Sequence, residues 1–290
     1  MPVNSSLVGK LLNERRVDVS KRSVMAYSAV LGDVSAACFD DDRPDGIVAL
    51  PQYCVSLEWP LASASKTAAA MGLVAGEAKA VIHLRQDSEF HSPIRPGDSL
   101  SITSTLTGVR STAKGAIVRS RTDTVEASSG TSVVTTHSDA FFIGVNVNGD
   151  DASIEESTVE PYEDVPPSPA RITRHIAREL PHLYTECAQI WNPIHTERTA
   201  ALAAGLPDII LHGTATWALA GQEIAKHYAG GDAGRLRRLA GEFSAMVIPG
   251  EDIVVEHARS AADEDVILFA VRNHEGDLAI KNGIAALRSD

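Results

Sequence analysis

The chain is 290 residues long, 44% hydrophobic and 22% charged, with only 5% aromatic residues. That apolar share is ample for one large domain or two ordinary ones, and it excludes a globally disordered chain. The 26 basic and 38 acidic side chains leave a formal net charge of −12 with no Lys/Arg cluster, which argues against a nucleic-acid partner because phosphate backbones would repel it.

Three cysteines, Cys38, Cys54 and Cys187, are too few and too scattered for a disulfide framework, and no C-x-x-C pair suggests zinc or redox chemistry. The first residues, MPVNSSLVGKLLNERR, lack an apolar core of signal-peptide length, and no apolar run approaches a membrane span. The expectation is a cytoplasmic protein with reduced thiols and no membrane partner.

In chain order, a polar-apolar segment from Ser23 to Leu31 leads into an irregular loop. The small-residue-rich stretch QYCVSLEWPLASASKTAAAMG follows and reads as a helix that Pro60 is expected to kink. Three alternating segments, SLSITSTLTGV, KGAIVRSRTDTV and TSVVTTHSDAFFIG, then read as an antiparallel meander. Residues 149–169, GDDASIEESTVEPYEDVPPSP, are acidic and proline-rich without apolar period, so they read as a linker between domains 1–148 and 170–290. The second half repeats the order. An opening segment from Ile172 to Tyr184 and a loop lead to LHGT, where Thr214 is a candidate cap for the helix TATWALAGQEIAKHY. DIVVEHARS, DVILFAVRNH and LAIKNGIAAL complete a second meander. One helix wrapped by an antiparallel sheet, present twice, is an α+β arrangement.

An internal repeat supports that reading. EFHSPIRPGDSLSI begins at Glu89 and EFSAMVIPGEDIVV at Glu242, and each places five residues between Glu-Phe and Pro-Gly before a strand-like run.

The stretch most informative about chemistry runs from Tyr184 to Gly221. In Asn-Pro-Ile-His, Pro193 stiffens the backbone between Asn192 and His195. Thr196 is expected to cap a short helix, TERTAALAA, closed by Gly205, which would hold His195 at a loop-to-helix junction. His212 and Gly213 precede the long helix, where backbone N–H groups and the positive end of the helix dipole suit a developing oxyanion.

NPIH, a short Ala-rich helix and LHG opening a long helix resemble the MaoC-like (R)-specific enoyl-CoA hydratase and dehydratase family, with PIRPGD and VIPGED similar to its strand-entry turns. The resemblance implies a double hot-dog fold and an enzyme that adds or removes water across the C2–C3 bond of an acyl thioester, carried by coenzyme A or a carrier protein. No metal or redox cofactor is implied, and homo- or hetero-oligomers are both compatible with it. By resemblance, His195 is the acid-base residue, Asn192 positions substrate or water, and Gly213 supplies the oxyanion N–H, with His212, Trp191 and Ile190 lining the substrate site. The family motif Gly-Asp-x-Asn-Pro-x-His carries its Asp where this chain has Ile190, with Gln189 at the Gly position. Gly32-Asp33 matches the missing Gly-Asp in the first half, where Ser35 and Cys38 replace the Asn and His. Candidate carboxylates are therefore Glu58 on the first-half helix, by likeness to carrier-protein dehydratases, then Asp33 and Glu186. Loss of the Asp leaves two alternatives: a water-free isomerase or cyclase, and an acyl-binding partner subunit without activity.

Overall fold

The computed structural model describes residues 2–73, 80–155, 165 and 168–288. Its residues form two compact units, one of Met1–Val17, Leu57–Ser92 and Ser99–Tyr162, the other of Asp18–Ser56, Pro93–Asp98 and Glu163–Asp290. The units are thus interleaved along the chain, and residues 18–56 and 93–98 cluster with the second half. Most of the linker expected at 149–169 lies outside the described residues.

In the first unit the sheet runs in the order Leu11–Asp18, Ser99–Thr112, Gly115–Glu126, Ser132–Ile143, Ala80–Phe90. Strict alternation in SLSITSTLTG and GAIVRSRTDTV puts every second side chain inward, as the period of a strand demands. Val109, Val118 and Phe142 pack with Met71 and Leu73 into an apolar cluster at one end of the sheet. The helix Cys54–Ala62 contains Pro60 and stops two residues beyond it, and a second helix, Ala64–Ala70, follows.

In the second unit an antiparallel sheet runs Leu236–Phe243, Leu278–Leu287, Val266–Arg272, Asp252–Arg259, Ala170–His175. The helix Gly213–Tyr228 is buried continuously from Thr214 to Ala225 and carries Trp217 in the core. Its small residues are required by close packing. A Cβ on Gly221 would lie 2.7 Å from Leu239. The segment read from Ile172 to Tyr184 as one opening element is instead two, the strand Ala170–His175 and the helix Leu180–Ala188.

The repeated Pro-Gly motif forms one and the same clip twice. Gly97 (φ +95°) donates its N–H to Val19 O at 2.8 Å while Val19 N–H reaches Asp98 O at 2.8 Å. Gly250 (φ +96°) donates to Ile176 O at 2.6 Å and Ile176 N–H reaches Glu251 O at 3.0 Å. Left-handed backbone explains the glycine at both positions. The clip also explains why residues 93–98 cluster with residue 19 and its neighbours rather than with the strands flanking them in sequence.

Among the described residues no helix is long and apolar enough to cross a membrane. Gly283, paired with Phe269 across neighbouring strands, has no room for a side chain: a Cβ would meet the Phe269 carbonyl oxygen and lie 2.7 Å from its ring. Gly283→Ala is expected to lower stability by about 2 kcal/mol through overpacking, read as a lower denaturant midpoint.

Candidate active site

The helix Leu180–Ala188 ends at Gln189, which takes a left-handed conformation (φ +57°). This is the position at which the sequence motif expects glycine, and Gln189 offsets the steric cost by donating its Nε2 to Ser56 O at 3.2 Å. Asn192 then opens a single turn, Pro193–His195, its Oδ1 accepting the Ile194 N–H at 3.4 Å. Thr196 ends that turn, and the next helix, Arg198–Ala203, is entered through Glu197. The expected Thr196 cap is therefore corrected: the turn consumes one more residue than the sequence pattern allowed. Gly205 does terminate this stretch, at φ +82°.

His195 is half-buried, and its Nδ1 lies 2.8 Å from Ile210 O. A carbonyl oxygen only accepts, so the proton must sit on Nδ1 and the Nε2 lone pair is left for chemistry. Burial lowers the His195 pKa from its ordinary value, with the Ile210 bond opposing. The ring is consequently neutral near pH 7. It stacks on His212, with centroids 3.7 Å apart and planes 23° from parallel. His212 is 2% exposed, and its Nε2 is 3.1 Å from Thr185 Oγ1. Desolvation, then the neighbouring His195, pushes its pKa down to about 2, so it stays neutral and cannot repel a proton arriving on His195.

His212 is also the residue from which the long helix starts, with Gly213 first inside it. The expected capping role of Thr214 is corrected. Thr214 lies within the helix, and its hydroxyl accepts a hydrogen bond from Tyr184 at 3.2 Å. The Gly213 N–H has no acceptor inside the helix, which makes it an available donor at the positive helix end. A Cβ on Gly213 would lie 2.9 Å from the Phe243 ring, so the position admits no other residue without displacement.

Ile190 is 2% exposed, whereas Trp191 stands 63% exposed. Repeat geometry identifies the first-half counterpart of Ile190. Asp33 N–H donates to Ser28 O at 2.9 Å after Gly32 (φ +76°), just as Ile190 N–H donates to Thr185 O at 3.0 Å after Gln189. Tyr27 and Tyr184 precede these acceptors, and their hydroxyls are 3.3 Å apart. Asp33 Oδ1 accepts the Ser35 N–H at 2.9 Å, so its carboxylate closes its own turn. Cys38 is buried, and burial raises its thiol pKa, which does not suit a nucleophile. Glu186 is exposed.

Glu58 belongs to the first unit and His195 to the second. Within its own unit Glu58 is 4% exposed and accepts a hydrogen bond from Thr124 Oγ1 at 3.5 Å. Burial raises its pKa to about 8 against the opposing bonds from Thr136 and Thr124, so the carboxyl is protonated at neutral pH. Among the described residues no group of three or more His, Cys, Asp and Glu could hold a metal ion.

A profile described as "MaoC like domain" matches residues 166–275, and one described as "FAS1-like, dehydratase domain region" matches residues 6–136. A 3-hydroxyacyl-thioester dehydratase Y of Mycobacterium tuberculosis is 26% identical over 282 residues, covering 95% of this chain and 94% of that protein. A probable enoyl-CoA hydratase 2 of Dictyostelium discoideum is 25% identical over 209 residues, 71% of this chain and 70% of that one. Among solved structures, a MaoC-like dehydratase from Phytophthora capsici superposes with a TM-score of 0.84 at 17% identity, covering 98% and 99% of the two chains. The second half thus matches a MaoC-like domain, and the chain has a double hot-dog fold.

Sequence reasoning singled out His195, Asn192 and Gly213 but missed the contacts that hold the two histidines. Ile210 acts through its carbonyl, which no side chain announces, and Thr185 becomes a partner of His212 only through the turn at Gln189.

Two outcomes follow. Gly213→Ala is expected to displace the helix start from the Phe243 ring, and loss of a donor N–H placed for an oxyanion would lower kcat on the order of 10²-fold. Glu58 holds its proton in the folded chain to about pH 8, whereas the unfolded chain releases it near 4.5. Its contribution to stability is therefore complete below pH 4.5 and lost as pH rises toward 8. Glu58→Gln should flatten that fall in denaturant titrations across this range.

Proposed function

We propose that this protein hydrates enoyl thioesters, or dehydrates 3-hydroxyacyl thioesters, of coenzyme A or a carrier protein. The observation that carries the reading is the His195 ring. Its proton is fixed on Nδ1 by Ile210 O, its Nε2 is unprotonated, and its stacking partner His212 starts the helix whose first N–H belongs to Gly213.

In hydration, His195 Nε2 takes a proton from water as the water oxygen bonds to C3. The electron pair of the C2–C3 double bond moves toward the thioester carbonyl, whose developing oxyanion is stabilised by the Gly213 N–H. His195 then returns the proton to C2 on the same face, so one water is added in all. Asn192 orders the turn that presents His195. The names of the M. tuberculosis and D. discoideum relatives, a thioester dehydratase and an enoyl-CoA hydratase, support this substrate class. Glu58, protonated near neutral pH, is the first carboxyl to test as a second acid-base group, and Asp33 the next.

One observation favours a second reading, a water-free isomerisation or cyclisation. The buried Ile190 offers no hydrogen bond to a water where the family motif has Asp.

Loss of conjugated-enoyl absorbance across a panel of enoyl-CoA thioesters separates the readings. Hydration should be measurable in wild type and fall at least about 10²-fold in His195→Ala. Ile190→Asp is expected to raise it. Glu58→Gln and Asp33→Asn identify which carboxyl, if either, shares the work. Well-folded wild type that hydrates no thioester would overturn the hydratase reading and leave the water-free one.

A further inference from the structure

Thr185 joins two parts of the candidate site, all of them within the second unit. Its carbonyl accepts the N–H of Gln189 and, at 3.0 Å, that of Ile190, the residues that lead into the turn carrying His195. Its hydroxyl lies 3.1 Å from His212 Nε2, one residue before Gly213. The His212 ring stacks on His195, while His212 O accepts the N–H groups of Ala215 at 3.0 Å and Thr216 at 3.1 Å. One residue, 4% exposed, thus ties the segment that holds the base to the helix start that holds the proposed oxyanion donor.

The two repeats separate this contact from those that the fold itself needs. Leu211 N–H donates to Val247 O at 2.8 Å, and Ala49 N–H donates to Ile94 O at 2.9 Å. Val247 and Ile94 each stand two residues before the proline of the clip, so Leu211 corresponds to Ala49. His212 then corresponds to Leu50, Gly213 to Pro51 and Thr214 to Gln52. A tyrosine serves the helix start in both repeats: Tyr27 donates to Gln52 O at 2.7 Å and Tyr184 to Thr214 Oγ1 at 3.2 Å.

The neighbour of that tyrosine behaves otherwise. Ser28 stands where the second half has Thr185, but the counterpart of His212 is Leu50, which offers no nitrogen. Pro51 likewise lacks the N–H that Gly213 supplies. The tyrosine contact belongs to both repeats, whereas the hydroxyl–imidazole contact occurs only beside His195 and Gly213.

We propose that Thr185 is a positioning residue for the reaction, acting through His212 to hold the His195 ring and the Gly213 N–H in fixed relation. This rests on the thioester reading above. A hydroxyl both donates and accepts, so it engages the neutral His212 ring whichever nitrogen carries the proton. A misplacement of about 1 Å between reacting groups costs on the order of 10²-fold in rate.

Steady-state hydration of an enoyl-CoA thioester tests the assignment. Thr185→Val keeps the side-chain shape and removes the hydroxyl, so kcat should fall at least about tenfold with KM within about threefold of wild type. Thr185→Ser should restore kcat to within about threefold, since it returns the hydroxyl. His212→Leu carries the first half's residue at that place, and adding Thr185→Val to it should change kcat by less than about twofold because the partner is already gone. Facing apolar side chains leave neither partner unpaired, so this comparison is read even if Thr185→Val alone does not fold. Tyr184→Phe removes the contact common to both repeats and should lower the unfolding midpoint while kcat stays within about threefold. Wild-type kcat in folded Thr185→Val, a loss that serine does not restore, the same loss in the His212→Leu background, or an equal loss in Tyr184→Phe overturns the proposal and leaves the thioester reading in place. Wild type that hydrates no thioester overturns both.

Discussion

The bond from His195 Nδ1–H to Ile210 O is the constraint on which the proposed chemistry of the second unit depends. It selects one tautomer, and the backbone around it exists to make that selection. Asn192 and Pro193 force the turn that brings His195 back toward residue 210, where Ile210 N–H also reaches Ile194 O at 3.3 Å. The stack on His212 fixes the plane of the ring, and Thr185 fixes His212 in turn. Because His212 is held neutral by burial, the pair carries one titratable imidazole rather than two. In the proposed reaction His195 is therefore the ring of the pair that gains and loses the proton.

Both units bury polar atoms without a partner among the described residues, Ser104 Oγ and Thr107 Oγ1 in the first and both amide atoms of Gln52 in the second. In the second, other buried polar side chains pair with one another: Tyr184 engages Thr214 at the helix start, and Thr185 engages His212. In the first, polar side chains face an interior that they do not fully satisfy, and Glu58 responds by keeping its proton. The duplicated Pro-Gly clip shows that both repeats began from the same local plan. Asp33 and Ile190 occupy equivalent places after equivalent helices, yet one is a turn-forming carboxylate and the other a buried hydrocarbon. Divergence at that pair, rather than in the fold, sets this chain apart from the sequence motif.

Particular residues show why some of this was legible in sequence. Pro96-Gly97 and Pro249-Gly250 stood out because left-handed backbone demands glycine, and the repeat and fold class followed from them. Asn192, Pro193 and His195 were legible because turn chemistry restricts residue type. The strands Ala80–Phe90 and Leu236–Phe243 were not read, since Arg85 and Asp87 in one and Arg237 and Arg238 in the other break the apolar alternation. Arg85 and Asp87 are buried and pair with each other, and that pairing is invisible before the chain folds. Ile210 contributes a carbonyl that every residue possesses.

The central claim is the protonation state of one ring, and nitrogen-15 NMR of the histidine side chains measures it directly, with His195→Gln identifying the resonance. The account predicts a neutral His195 with its proton on Nδ1 at pH 7 and a midpoint below that of an ordinary histidine. A His195 that carries its proton on Nε2 when neutral, or that titrates at or above the ordinary value, would contradict it.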